Sequence, residues 1–368
     1  MSLSRAAMLS APLLLVTTLL SSSIAQEAPP EDLVQSGTTA AVPVRAEAPA
    51  AVQSAEAGFS GYLQLLAARA RSEGVREATI QSVLAGLTYN PRVIALDRSQ
   101  PGSTPNSPPA FWPYYNRTIS AARIESGRAR LADTRDITSA IEAEYGVPAK
   151  MLIAIWGKES FYGRVQGDFD LPRSLATLAY EGRRRELFEG EFIAVLKMVD
   201  RGVPRHKLVG SWAGAFGNPQ FLPSVYLRLA RDGDGDGLAD IWASQRDTLV
   251  SIANYFRDAG WRPGEPWGVR AQVPAQFDRG QIKAELEAPS CPRVHNRHSQ
   301  WKTVAEWRSL GVIPQAPIAD TTLATLFEPD GPGNGSFLLT GNYRVILHYN
   351  CSNYYALSVG LLADEIAR

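Results

Sequence analysis

Glu159 lies in the run AIWGKESFYG, residues 154–163, one carboxyl in an otherwise apolar turn that stops at a glycine. Pro148 suits the first turn of a helix and Gly163 its end. Within those bounds Leu152, Ile155, Trp156 and Glu159 fall at i, i+3, i+4 and i+7, which is one helix face. A carboxyl pressed against apolar and aromatic groups loses hydration of its charged form, so it is expected to hold its proton to higher pH. That is what a general acid for a glycosidic bond requires. The same residue could instead be a buried glutamate paired with an arginine, for which GRRRE, residues 182–186, supplies candidates. Lys158, its neighbour, is expected to point away from the buried stripe.

Two further stretches carry chemistry-bearing residues. GSWAGAFGNPQFLPSVY, residues 210–226, combines small residues with Gln220 and Tyr226. Glycine-rich loops with a few amides and aromatics suit a sugar groove, although a tight turn with no ligand needs the same glycines. DGDGDGLAD places Asp232, Asp234, Asp236 and Asp240 at positions 1, 3, 5 and 9 of an EF-hand-like loop, with Gly237 at 6 and the Leu238 carbonyl at 7. Hard oxygen ligands at this spacing suit Ca²⁺ in a structural role. Position 12 is Ala243, so the usual glutamate is missing, and Asp247 is a candidate cap for the helix that follows.

The elements that must position these residues are mostly helical. Apolar residues recur at three- and four-residue spacing through GYLQLLAARARSEGV, REATIQSVLAGL and the stretch ending SAIEAEYGV, and again in NYYALSVGLLADEIAR. RSQPGSTPNSPPAFWP is too rich in Pro, Gly and Ser for regular structure. WGVRAQV and GSFLLTG, between Trp261 and Asn342, read as short strands. Residues 1–25 have the pattern of a cleaved secretory leader, and residues 26–58 are a Pro/Ala/Glu-rich stretch expected to be a disordered linker. No cysteine near the leader suggests a lipid anchor, and no membrane span is expected in the mature protein. Lys+Arg and Asp+Glu are balanced at 37 each, which argues against nucleic acid as a partner. In an exported chain Cys291 and Cys351 are expected to form a disulfide. The rival is a zinc site with His295, His298 and His348, at a spacing that fits no standard pattern.

Six motifs occur in order: YGVPAKMLIAIWGKESFYG, LATLAYEGRRRELF, GSWAGAFGNPQFLPSVY, DGDGDGLADIW, SIANYFRDAGW and YRVILHYNCSNYYALSVGLLADEI. Together they resemble the lytic murein transglycosylase B family, over nearly all of the chain from Phe59 onward. The resemblance implies a mainly α (α+β) fold in the periplasm. Its parts would be a helical subdomain over 59–146, a lysozyme-like catalytic core over 147–262, a small β-containing subdomain over 263–341 and a returning C-terminal helix over 342–368. It implies peptidoglycan glycan strands as substrate, no organic cofactor, and Glu159 as the lone catalytic group. Glu159 would first protonate the oxygen between N-acetylmuramic acid and N-acetylglucosamine. It would then take the proton from the muramyl O6 hydroxyl, giving a 1,6-anhydro product without consuming water. The family's groove residues fall on Arg184, Arg185, Ser211, Trp212, Gln220, Tyr255, Tyr349, Asn350 and Tyr355, and the resemblance also implies a longer aspartate loop that Asp247 would close.

Two other readings remain open. The arginines could be surface charge and Tyr255 a core tyrosine. A hydrolytic muramidase would need a second carboxylate, for which Asp168 and Asp170 are nearest in sequence, and a non-catalytic peptidoglycan-binding protein would need none. Asn218-Pro219, Cys351 and the segment at residues 287–301 are unusual for the family.

Overall fold

The computed structural model describes residues 49–100, 110–284, 288 and 290–368. The expected leader, the linker up to residue 48 and most of the Pro/Gly/Ser loop lie outside the described residues.

The chain opens with α1 (Pro49–Ser72), α2 (Glu77–Leu84), α3 (Pro91–Arg98), α4 (Phe111–Thr118), α5 (Ala121–Asp133), α6 (Arg135–Tyr145) and α7 (Ala149–Ser160). The linker expected over residues 26–58 must be shortened, because α1 starts at Pro49. Proline at the first turn and the alanine-rich run PAAVQSAEAG favour helix there. Next come β1 (Phe169–Asp170), α8 (Leu171–Glu181), α9 (Arg185–Asp200), β2 (Val209–Gly210), α10 (Pro223–Leu229) and α11 (Gln245–Asp258). β1 and β2 form a two-stranded antiparallel ribbon, too short to show as alternation in sequence.

The strand-rich part holds β3 (Gly268–Gln272), α12 (Pro292–His295), β4 (Lys302–Thr303), α13 (Val304–Ser309), β5 (Ile313–Pro314), β6 (Leu323–Phe327) and β7 (Ser336–Leu339). Its strands make a five-stranded antiparallel sheet in the order β4-β6-β7-β3-β5. The two-residue period divides the sheet's faces. Leu326 and Leu338 join Trp307 and Val312 in a small core of their own, while Phe327, Phe337 and Leu339 belong to the main helical core. The sheet is thereby fastened to the helices. α14 (Gly341–Tyr349) and α15 (Asn353–Ile366) complete the fold.

Helix α7 is the hub: it packs against α15, α5, α11 and α6. Every residue from Met151 to Lys158 is buried, so the expected single apolar face is in fact burial all round. Each fully buried aliphatic side chain there stabilises by about 1.5–3 kcal/mol. Gly157 lets Tyr162 fold back onto the helix, since a Cβ at that position would come within 2.4 Å of the Tyr162 ring. No helix among the described residues is long and apolar enough to cross a membrane.

Candidate active site

The geometry around Glu159 begins with how α7 stops. Phe161 and Tyr162 both adopt left-handed backbone, φ 50° and 58°, and the Phe161 N–H donates to the Gly157 carbonyl at 3.2 Å. The turn ends the helix at Ser160, leaving Glu159 in its last turn, only partly covered, beside a cavity of about 210 Å³. Arg117, Arg123, Lys158 and Phe161 help to line that cavity with Glu159. Lys158, expected to point away from the buried stripe, is buried as well, because α7 is covered on every side. It is 3% exposed, and its ammonium donates to the Tyr114 hydroxyl at 3.1 Å.

The hydroxyl of Tyr355, from α15, donates to Glu159 Oε1. Its ring lies parallel to that of Tyr349, centroids 6.5 Å apart, and Tyr349 in turn contacts Tyr255 at 4.6 Å. Phe221 closes the row at 5.8 Å from Tyr255. Each phenol has a fixed acceptor: Tyr349 donates to the Pro219 carbonyl at 2.5 Å and Tyr255 to the His348 carbonyl at 2.7 Å. Burial pushes the Tyr349 phenol well above its ordinary 10.0, with the Glu159 charge adding to it. Burial raises Tyr255 as well, against an opposing pull from Arg228 and with smaller pushes from Asp258 and Glu159. Both therefore remain neutral donors around neutral pH, and both feel the Glu159 carboxylate. Asn350 is the residue after α14, and its carbonyl accepts from the Ser352 N–H at 2.8 Å.

The glycine-rich loop uses its polar atoms largely on itself. Ser211 Oγ accepts from the Ala215 N–H at 3.0 Å, and Gln220, at φ 50°, donates from Nε2 to the Gly217 carbonyl at 2.9 Å. Trp212 is 4% exposed and sits in the main core, so no open ring face is offered there. The Asn218 side chain ties the loop to α11 by donating to Thr248 Oγ1 at 3.0 Å, and it accepts from Gln166 at 2.9 Å.

Arg184 pairs at 2.8 Å with Asp97, a buried carboxylate that Arg183 also grips. Arg185 lies 5.2 Å over the Tyr62 ring. These contacts tie the α8–α9 turn to α1 and α3, and the arginine partner sought for a buried carboxylate goes to Asp97. Asp170 caps α8 by accepting from the Arg173 N–H at 2.9 Å and pairs with Arg205 at 2.5 Å, while Asp168 is exposed.

In the aspartate loop, Asp232, Asp234 and Asp247 bring one carboxylate oxygen each to within 4.8 Å of one another, the only such grouping of metal-ligand side chains among the described residues. Asp247 is not the helix cap: Ser244 is, accepting from the Asp247 N–H at 3.2 Å. The smaller hydroxyl reaches the free backbone donor, and Asp247 turns inward into full burial. Its carboxylate accepts from the Gly233 and Asp240 N–H groups, and burial raises it above its ordinary 3.8, with Asp234 and Asp232 adding repulsion. Three converging carboxylates fit a hard divalent cation. Asp240 stands apart from the trio, engaged by Lys207 at 2.7 Å, and Asp236 bonds the Leu238 N–H, whose carbonyl accepts from Asp240.

Cys291 and Cys351 are joined, Cα atoms 5.7 Å apart. The zinc alternative falls with this, since the sulfurs are bonded to each other. His298 is buried and its Nε2 meets Asn353 Oδ1 at 2.7 Å, and burial pushes it down to about 3 and His295 to about 4, so both are neutral. Sequence reasoning passed over Tyr114, Arg117 and Arg123, and it gave Lys158 no place in the site. A lysine in a wholly apolar helix was the available signal.

The transglycosylase SLT domain model matches residues 58–364. The chain is 30% identical over 302 residues to membrane-bound lytic murein transglycosylase B of Escherichia coli (strain K12), covering 80% of this chain and 79% of that protein. Among solved structures it is similar to SltB3 of Pseudomonas aeruginosa in complex with NAG-anhNAM-pentapeptide, at TM-score 0.75 and 38% identity over 84% of this chain and 79% of that one. It is also similar to E. coli Slt35 in complex with calcium, at TM-score 0.66 and 26% identity over 85% and 93%. With a mainly helical, lysozyme-like fold and a match over most of its length, the chain belongs to the transglycosylase SLT domain family.

Proposed function

We propose that this protein is a lytic transglycosylase that cleaves the β-1,4 bond between N-acetylmuramic acid and N-acetylglucosamine in peptidoglycan and leaves a 1,6-anhydromuramyl end. The observation that carries the reading is that Glu159 is met by the neutral phenol of Tyr355. Glycoside hydrolysis in its common forms needs two carboxyl groups flanking the bond, one of them for water or a covalent intermediate. Asp170 is committed to a helix cap and an arginine. A lone carboxyl suits an intramolecular attack, in which the sugar's own O6 replaces water.

Glu159 gives its proton to the bridging oxygen as the bond to the anomeric carbon breaks. As carboxylate it then accepts the O6 proton while O6 bonds to that carbon, so the group ends as it began. The Tyr355 hydroxyl fixes Oε1 through both steps, and Tyr255, half-buried and backed by the buried rings of Phe221 and Tyr349, gives the adjacent wall an aromatic face that suits a sugar ring. Arg184, Arg185, Ser211, Gln220 and Asn350 are assigned to the groove by their motifs.

The chain also takes Ca²⁺ at Asp232, Asp234 and Asp247, where the ion would relieve carboxylate repulsion and fasten the loop to α11. No organic cofactor enters the reaction. Export to the periplasm through the leader is supported by the leader's pattern and by the disulfide. The test is mass spectrometry of soluble products from purified peptidoglycan. Muropeptides one water lighter than hydrolysis products are expected from the wild type and not from Glu159→Gln; reducing-end products would establish the hydrolase instead.

A further inference from the structure

Lys158 is a buried cation next to the group that must change protonation state. Only 3% of it is exposed, on a helix whose other residues from Met151 onward to this point are apolar or glycine. Its ammonium donates to Tyr114 Oη at 3.1 Å, lies 5.1 Å from the centre of that ring, and lies 5.7 Å from the centre of the Tyr355 ring. Tyr355 is the residue whose hydroxyl touches Glu159, and Lys158 and Glu159 share the lining of one cavity of about 210 Å³. Tyr355 therefore meets the ammonium with its ring and the carboxyl with its hydroxyl.

We infer that Lys158 is a positioning residue for the proton transfers of Glu159: its ammonium, held between Tyr114 and Tyr355, favours the ionised carboxylate and sets the pH at which Glu159 turns from donor to acceptor. The inference rests on Glu159 being the acid and base of the proposed reaction.

A group that serves as acid and then as base needs a proton affinity close to the working pH. Partial burial and the negative end of the α7 dipole both disfavour the charged carboxylate. Without a counterweight the proton would be held too tightly for the second step. A cation on the same helix supplies that counterweight.

The other groups around Glu159 are of two kinds, neutral phenols and arginines. Tyr255 from α11 and Tyr349 from α14 are neutral phenols. Tyr355 from α15 donates its hydroxyl. Arg123 from α5 and Arg117 from α4 also line the cavity and act in the same direction. The Arg123 guanidinium is stacked 5.0 Å over Phe161 and that of Arg117 lies 5.9 Å over Tyr114. Both arginines are present in every variant at 158, so a charge-keeping and a charge-removing substitution there differ in the Lys158 cation.

The experiment is the pH profile of kcat/KM for release of anhydromuropeptides by the wild type, Lys158→Met, Lys158→Gln and Lys158→Arg. Methionine keeps the apolar stem, glutamine is the second neutral variant should methionine not fold, and arginine keeps the charge. The wild-type rate falls at high pH as Glu159 loses its proton. With the cation removed, that alkaline limb is expected to move up by about one pH unit, the low end of the effect of a neighbouring opposite charge. Lys158→Arg is expected to keep the wild-type limb. A neutral variant whose limb coincides with the wild type's, whatever its kcat, would overturn the inference while leaving the transglycosylase reading intact. A wild type that makes no anhydro product would overturn both.

Discussion

Tyr355 and Glu159 form the pair on which the chemistry turns, and the phenol makes one specific contribution. A hydrogen bond to a charged group contributes about 1.5–3 kcal/mol, so its loss is worth roughly ten- to a hundredfold in rate if it is made through the reaction. Tyr355→Phe keeps the buried ring and its parallel partner Tyr349. We expect kcat to fall by roughly that factor, with KM little changed and the melting temperature close to that of the wild type. An unchanged kcat would reduce Tyr355 to a packing residue. At this scale residue type carries only half the information. Glu159 stands out in sequence because a charge in an apolar run demands explanation, and by the same rule Lys158 should have. Ser211 and Gln220 show the converse: a polar side chain in a glycine-rich loop can face a ligand or its own backbone, and here the bonds that are formed are to Ala215 and Gly217. Nothing in the residue names distinguishes those outcomes.

Among the elements, α7 was legible from both ends, since Pro148 and Gly163 bracket it. Its all-round burial was not, because periodicity describes a helix with one neighbour and α7 is surrounded by α5, α6, α11 and α15. The two-residue strands β1 and β2 are likewise invisible to any periodic pattern, and the register that pairs Phe169 with Gly210 is settled by tertiary packing. Alanine content signalled disorder before Phe59, yet the same alanines extend α1 to Pro49. The aspartate loop and α11 behave as one element through Asp247, whose two oxygens bond the Gly233 and Asp240 N–H groups. A cation bound by the folded loop alone stabilises by about 2.7 kcal/mol at a hundred times its dissociation constant. Calorimetry with Ca²⁺ and with EDTA should therefore differ by roughly 5 °C in a chain of this size. In Asp247→Asn the difference should shrink or vanish. Identical melting with and without chelator would remove the ion from the account.

At the scale of the whole molecule, the sheet and the helices are held together twice. Phe327, Phe337 and Leu339 enter the helical core, and the Cys291–Cys351 bond joins the segment before α12 to the turn between α14 and α15. Closing 60 residues of chain stabilises by about 4 kcal/mol on the chain-entropy model. Reduction should lower the melting temperature by roughly 5–10 °C. A melting curve indifferent to reductant would mean that the packed interface alone suffices. The fastened turn lies between Tyr349 and Tyr355, so the same bond braces the wall beside Glu159.

The hydrogen bond from Tyr355 to Glu159 spans 196 residues of sequence. A chain synthesised from its N-terminus delivers its glutamate long before its tyrosine, and nothing local can bring the two together sooner. Contacts of such long range form late, because the loop they close must be ordered first. Glu159 and the hydroxyl that holds it are therefore brought together only when α15 closes on α7, so a chain unfinished or clipped before Tyr355 lacks both the hydrogen bond and the helix that buries α7.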